Sequence, residues 1–290
     1  MPIHSGIIDN PKADRIRKVS ELSSRKRREE YGRFLIEGPQ AVREAIVCMP
    51  DIIQDLFVQV VESNGHSSVI SPVVEELQEL SQHSGIYVHH VNEQAMRRIS
   101  TDSQGIVAVA DSAAMHARPD DVSVQGEAMI AAFWQIRDPG NAGTVIRAAD
   151  ASGCHAVVFV DECVDVLNPK VVRSSVGSIF HIPVLTMNSE AFFDWTAMIK
   201  ASVDAADVYG LENRPSIQLP ELVEQGFSDK NTPRAFLFGN EARGLPKHIL
   251  TRVDRTVYIP MYGKAESLNL ATSAAIVLHS MAMSSHFERI

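Results

Sequence analysis

Five short runs in the second half of the chain constrain its fold more than any other feature. AMIAAFW (128–134), AVVFV (156–160), IPVLT (182–186), RAFLF (234–238) and TVYIP (256–260) are nearly continuous in apolar residues, and helical segments separate them. A strand that is apolar on both faces must be covered on both faces, which is the situation of a parallel sheet flanked by crossover helices. NPKVVRSSVGSIF (168–180) predicts one such helix, with Asn168 as N-cap, Pro169 at the first helical position and Val172, Val176 and Ile179 on an inward stripe. A last helix near 269–284 is rich in Ala, Thr and Ser, small enough to let another helix or the sheet approach closely.

The first half alternates differently. Residues 12–33 read as one or two polar helices, followed by the strand FLIEG (34–38) and a helix in GPQAVREAI that opens with Pro39. The strands DLFVQVV (55–61) and IYVHHV (86–91) flank a helix in SPVVEELQELSQHSG (71–85), where Ser71 is a candidate N-cap and Pro72 holds the first position. GIVAVAD (105–111) adds a strand and completes a small α/β domain. The polar stretch that follows suits a linker. A chain of 290 residues has room for two domains, each with its own core. The expected division is a basic arm (1–33), an α/β domain (34–111), a linker (112–127) and a second α/β domain (128–290).

A net charge of −9 argues against a protein that binds nucleic acid over its whole surface. Residues 1–33 nevertheless carry nine Lys or Arg against five Asp or Glu. Arg25, Lys26, Arg27 and Arg28 lie together there, either as a solvated helix face or as phosphate contacts for RNA. No apolar run is long enough to span a membrane, and the N-terminus lacks an apolar signal core, so a cytoplasmic protein is expected. Cys48, Cys154 and Cys163 are scattered without a CxxC pair, which predicts reduced thiols and no metal site.

Three loops at the carboxyl ends of the apolar runs carry the candidate chemistry, since ligands of open α/β sheets gather there. IRDPGNAGTVIRAADASG (136–153) holds three glycines, an asparagine and Arg147; FLFGNEARGLP (236–246) holds Gly239, Asn240 and Glu241; IPMYGKAESLNLATSAA (259–275) holds Pro260, Gly263, Ser267 and Asn269. Taken singly, each feature also suits an ordinary turn: Arg147 can pair with Asp150, Glu241 and Arg243 can be solvated, and Pro260 can end an edge strand. The chain has no GxGxxG after a strand, no GxxxxGK[ST], no HExxH and no GxSxG, so the usual nucleotide, metalloprotease and hydrolase signatures are missing.

Residues 130–282 resemble the SpoU–TrmH branch of the SPOUT RNA ribose 2′-O-methyltransferases. Asp138-Pro139-Gly140-Asn141-Ala142-Gly143 with Arg147 resembles the family's first motif, Phe238-Gly239-Asn240-Glu241 with Gly244-Leu245 the second, and Ile259-Pro260-Met261 with Gly263 and Ser267-Leu268-Asn269 the third. Arg173-Ser174-Ser175-Val176-Gly177 resembles the helix between motifs, and the first half is similar to a ribosomal-protein-like α/β domain that holds RNA. The resemblance implies a parallel sheet with a trefoil knot, a homodimer with the site near the subunit interface, S-adenosylmethionine as donor and an RNA ribose 2′-hydroxyl as acceptor. It implies rRNA as substrate, with tRNA or a non-catalytic assembly factor as the alternatives. It assigns Arg147, Asn141, Glu241, Ser267 and Asn269 to catalysis. Donor binding goes to Phe238, Gly239, Asn240, Ile259, Met261, Gly263, Leu268 and Asn269. Guanidinium is normally only a donor, so stabilising charge on the attacking oxygen suits Arg147 better than literal base catalysis.

Overall fold

The computed structural model describes residues 6–63, 66–124, 126–207, 210, 216–226 and 232–286. These fall into two units, one built from 1–116 and 165–181, the other from 117–164 and 182–290.

In unit one, α1 (Asp14–Glu21) turns Ile16 and Val19 inward, and α2 (Arg25–Tyr31) stops at Gly32, which takes the left-handed conformation. There follow β1 (Arg33–Glu37), α3 (Pro39–Cys48), β2 (Ile53–Ser63), β3 (His66–Val69), α4 (Pro72–His83), β4 (Tyr87–Val91), α5 (Glu93–Ile99) and β5 (Ile106–Asp111). The sheet runs β1-β5-β2-β3, with β4 added in parallel to β2. Ser71 accepts from the Val74 N–H at 3.4 Å and so caps α4, as its position before Pro72 predicts. Ile16, Leu22, Leu35, Phe57, Met96 and Val107 share one core.

Unit two opens with β6 (Met129–Trp134), α6 (Pro139–Ala151) and β7 (Ala156–Val160), whose strand residues are all buried. Residues 165–181 then join unit one, where α7 (Pro169–Ser174) is capped by the Asn168 side chain. The helix expected over 168–180 ends six residues in. Val176 (φ 54°) and Gly177 (φ 97°) both turn left-handed, and a short 3-10 turn covers Ser178–Phe180. At Gly177 a Cβ would lie 2.2 Å from the Glu44 side chain, so only glycine fits this close approach.

The chain resumes unit two with β8 (Val184–Met187), α8 (Ser189–Met198), β9 (Ser202–Ala206), β10 (Ser216–Gln218), α9 (Leu219–Gln225), β11 (Arg234–Phe238), α10 (Lys247–Leu250), β12 (Arg255–Tyr258) and α11 (Leu270–His286). The seven strands are all parallel, in the order β10-β12-β9-β11-β6-β7-β8. From β6 the chain steps outward to β7 and β8, then returns to the other side at β9. The order therefore reverses between β6 and β11, and in such sheets the crevice opens at the carboxyl ends beside that reversal. The small residues of α11 pack against α6, as its composition predicts.

On the amino side of the sheet, the fully buried Asp204, the central residue of β9, holds the two arginines that open β11 and β12. Arg255 reaches its two oxygens at 2.7 and 3.1 Å, and Arg234 approaches at 3.4 Å. Burial holds the Arg234 guanidinium below its usual range; the Asp204 carboxylate opposes that shift and the Arg255 charge adds to it.

Candidate active site

All three glycine- and asparagine-bearing loops leave unit two's strands at their carboxyl ends: residues 135–138 after β6, 239–246 after β11, and 259–269 after β12. The first enters α6 through an N-cap, in which the Asp138 carboxylate accepts from the Asn141 N–H at 2.8 Å and Pro139 holds the first position. The second folds back on itself, with Asn240 and Gly244 exchanging backbone hydrogen bonds of 3.2 and 2.8 Å. A Cβ on Gly239 would stand 2.4 Å from the Gly244 carbonyl carbon and 2.6 Å from the Leu245 nitrogen, so the turn requires glycine. The third ends where the Asn269 side chain accepts from the Ala271 N–H at 2.8 Å and starts α11.

These loops meet through side chains. Asn269 Nδ2 donates to Asn141 Oδ1 at 3.1 Å, and Asn141 Nδ2 donates to Glu241 Oε1 at 3.2 Å. Asn240 Nδ2 ties the second loop to the first by donating to the Gln135 carbonyl at 2.7 Å. One polar chain thus joins residues 128 positions apart. Each amide has its orientation set by a partner, yet Glu241 and Asn269 are exposed. Groups held in order but left open to solvent are what a ligand site requires.

Not every expected site residue joins this chain. Arg147 is exposed on α6 and forms no hydrogen bond with Asn141, Glu241 or Asn269. Six residues of helix place it about 9 Å farther along the axis than Asn141 and a third of a turn around it. Ser267 and Gly263 are exposed, while Ile259, Met261 and Leu268 are half-buried. The Phe238 ring is buried and stacked on Phe133 at 5.1 Å, so it offers a ligand only its main chain. From Pro260 to Ser267 the backbone makes no hydrogen bond to another described residue, which leaves a run of N–H and C=O groups open to a partner.

Two supporting residues escape a reading of the sequence. Gln135 takes a left-handed backbone (φ 50°) and thereby turns its carbonyl toward Asn240; nothing in its residue type signals this. Cys163 donates to the Val160 carbonyl at 3.3 Å, and burial pushes its thiol up to about 11.

In unit one the basic run of α2 is divided. Arg25 pairs with Glu29 at 2.8 Å and Arg27 with Glu30 at 2.6 Å, both on the surface, and Lys26 is exposed. Arg28 departs from the expected phosphate contact: it is 4 % exposed, pairs with Asp165 and donates to the carbonyls of Leu22 and Ser23. Its fork of donors is used inside the unit. Elsewhere in unit one, ligand atoms of Glu44, Cys48 and His181 lie within 4.8 Å of one another, a grouping outside every motif. No helix among the described residues is long and apolar enough to cross a membrane.

Comparison with known proteins places this geometry. Residues 128–279 match the SpoU rRNA methylase family, and residues 13–108 match the MRM3-like substrate binding domain. The chain is 30 % identical over 279 residues, 94 % of its length and 98 % of the relative's, to the 23S rRNA (guanosine(2553)-2′-O)-methyltransferase RlmP of Bacillus subtilis. The AdoMet-bound rRNA methyltransferase from Sinorhizobium meliloti is 27 % identical, superimposes with a TM-score of 0.77, and is covered over 98 % of both chains. The SpoU methyltransferase AviRb from Streptomyces viridochromogenes, in complex with AdoMet, is 25 % identical with a TM-score of 0.76, over 94 % of this chain and 98 % of that one.

Proposed function

This chain belongs to the SpoU rRNA methylase family, and on that premise we propose roles for the residues of its three joined loops. The protein is an RNA (ribose-2′-O-)methyltransferase that acts on rRNA with S-adenosylmethionine as donor. The observation that carries the residue assignments is the hydrogen-bonded chain from Asn269 through Asn141 to Glu241, because it converges three loops on one place beside the reversal in strand order.

The loops fit the donor. Open backbone groups between Pro260 and Ser267 match a ligand with an adenine edge and an amino-acid end, and no described atom lies within 4 Å of where a Gly263 Cβ would point. Phe238, Gly239 and Asn240 would contribute main chain, Ile259, Met261 and Leu268 apolar walls, and Asn269 a polar contact. When bound, S-adenosylmethionine supplies a methyl group carried on a sulfonium. The protein must hold the ribose 2′-oxygen in line with that methyl and ease the loss of a weakly acidic proton. Asn141, oriented by Asn269 and Glu241, positions the ribose, and Ser267 adds a hydroxyl at the same edge. The Arg147 guanidinium stabilises negative charge on the 2′-oxygen as its proton passes to solvent water, and clamps the neighbouring phosphate.

The distance along α6 between Asn141 and Arg147 supports one further element of the proposal, a homodimer in which the partner's copy of this edge completes the site. Met283, 56 % exposed on α11 beside Leu219, Pro220 and Val223, is an apolar surface suited to a second copy. Light scattering that finds only monomer at micromolar concentration would remove it. The cytoplasm, where rRNA is transcribed and assembled, is the compartment that goes with this function.

The deciding experiment transfers labelled methyl from S-adenosylmethionine to large rRNA, small rRNA and tRNA from cells that lack the gene, with Arg147→Ala as control. Label confined to rRNA and lost in the variant is expected. Label confined to tRNA moves the substrate to tRNA, and donor binding with no label in any fraction leaves an RNA-binding assembly factor.

A further inference from the structure

Unit one contains an open cleft of about 700 Å³, walled by the α1–α2 turn, the α5 end with the loop that follows it, and the start of α7. Arg27, Arg97, Arg98, Lys170 and Arg173 line it. The three acids in its walls are all paired, two of them to one arginine. Glu21 is paired with Arg17 at 3.2 Å and accepts from the Tyr31 hydroxyl at 2.7 Å. Glu37 and Asp102 share Arg173, at 2.8 and 3.0 Å. Arg98 and Lys170 are exposed and form no ion pair with another described residue. The Ser24 and Thr101 hydroxyls also donate to no described residue. The cleft therefore presents surplus positive charge and open polar donors on an otherwise acidic protein.

We propose that this cleft is a phosphodiester track that holds a stretch of the RNA substrate by its backbone, without reading its bases. The proposal rests on the methyltransferase reading above and extends it to a site outside the three motif loops. Two observations set its chemistry. Free cations and hydroxyl donors recognise phosphate and ribose oxygens, the contacts that position RNA in register. No aromatic residue lines the cleft, so it lacks the stacking platform on which proteins lay successive unpaired bases. Arg173 has a different part. Held between the buried Glu37 and the exposed Asp102, it fixes the 165–181 segment to the wall, so that Lys170, which lies outside the span matching the substrate binding domain, becomes part of the track.

The test uses the full-length protein and three ligands: a large-subunit rRNA transcript, a mixed-sequence single strand, and S-adenosylmethionine. Arg98→Ala combined with Lys170→Ala is compared with wild type and with Lys200→Ala, an exposed cation of unit two that has no part in the cleft. The expected result is about tenfold weaker binding to both RNAs, and a salt dependence whose slope flattens by about 1.4, or about 0.7 for each single-strand phosphate that is no longer neutralised. S-adenosylmethionine affinity stays at the wild-type value, showing that the variant is folded. An unchanged RNA affinity and salt slope in a wild-type enzyme that methylates rRNA overturns the track and leaves the function intact. A loss confined to the rRNA transcript overturns the claim of base-independent reading. A wild-type chain that neither binds nor methylates RNA overturns both proposals.

Discussion

The two ends of unit two's parallel sheet are made from similar polar residues and put to opposite uses. At the amino end, Asp204 is fully buried and its carboxylate is met by Arg255 and Arg234. At the carboxyl end, Asn141, Glu241 and Asn269 are hydrogen-bonded to one another yet remain open to solvent. Charge that is enclosed and matched holds strands together; polar groups that are aligned and left uncovered wait for something else. The contrast teaches that burial, more than residue type, separates a structural cluster from a working one in this molecule.

That contrast can be broken from either end. Asp204→Ala should have the largest effect, about 3–5 kcal/mol of stability, because it removes the fully buried carboxylate that the Arg255 fork grips with two hydrogen bonds and that Arg234 approaches. Urea unfolding measures it, and a loss below about 1 kcal/mol would show that the amino end is not the brace described. At the carboxyl end, Arg147→Ala should lower methyl transfer on the order of a hundredfold with an unchanged unfolding midpoint. Arg147→Lys keeps the charge but not the planar fork, and should cost on the order of tenfold. Near-normal activity of the Lys variant would remove the geometric role assigned to Arg147.

Two glycines sharpen the comparison within the site itself. Gly239→Ala forces a Cβ into the backbone of Gly244 and Leu245, and should cost about 1–3 kcal/mol together with donor affinity. Gly263→Ala meets open space, so stability should hold or rise slightly while calorimetry shows weaker S-adenosylmethionine binding. Equal behaviour of the two variants would erase the distinction between a glycine that shapes the loop and one that admits a ligand. The smallest effect is chemical. The thiol ionises near pH 9 when unfolded and is pushed up to about 11 at Cys163 in the fold, mainly by burial. Stability should therefore fall as pH rises between those values. At pH 8 iodoacetamide should label the exposed Cys48 well before Cys163 or the buried Cys154; equal rates in a mass-spectrometric time course would contradict this.

Much of the sheet was legible because continuous apolar runs need only local reading: β6, β7 and β11 lie where AMIAAFW, AVVFV and RAFLF predict them. Local caps were equally plain at Ser71 and Asn168. What stayed hidden depends on distant partners. β9, SVDAA, places an aspartate in the middle of a sheet, and only Arg234 and Arg255, far along the chain, make that tolerable. The inward turn of Arg28 is set by Asp165, 137 residues away. The early end of α7 comes with the left-handed turn at Val176 and Gly177, a place where Glu44 leaves room for glycine alone. Within the site, the motif loops were visible as glycine and asparagine after strands, whereas the hydrogen bonds that join them, and the backward turn of Gln135, belong to tertiary structure alone.

The passage of residues 165–181 into unit one has a practical consequence for anyone who would take the protein apart. No single scissile point yields two complete halves, because cleavage after residue 116 strands Asp165 on the wrong fragment and leaves the Arg28 guanidinium enclosed without its carboxylate. A minimal fragment of unit one has to be spliced, with the 165–181 stretch appended through a spacer, before its behaviour in isolation speaks for its behaviour in the whole enzyme.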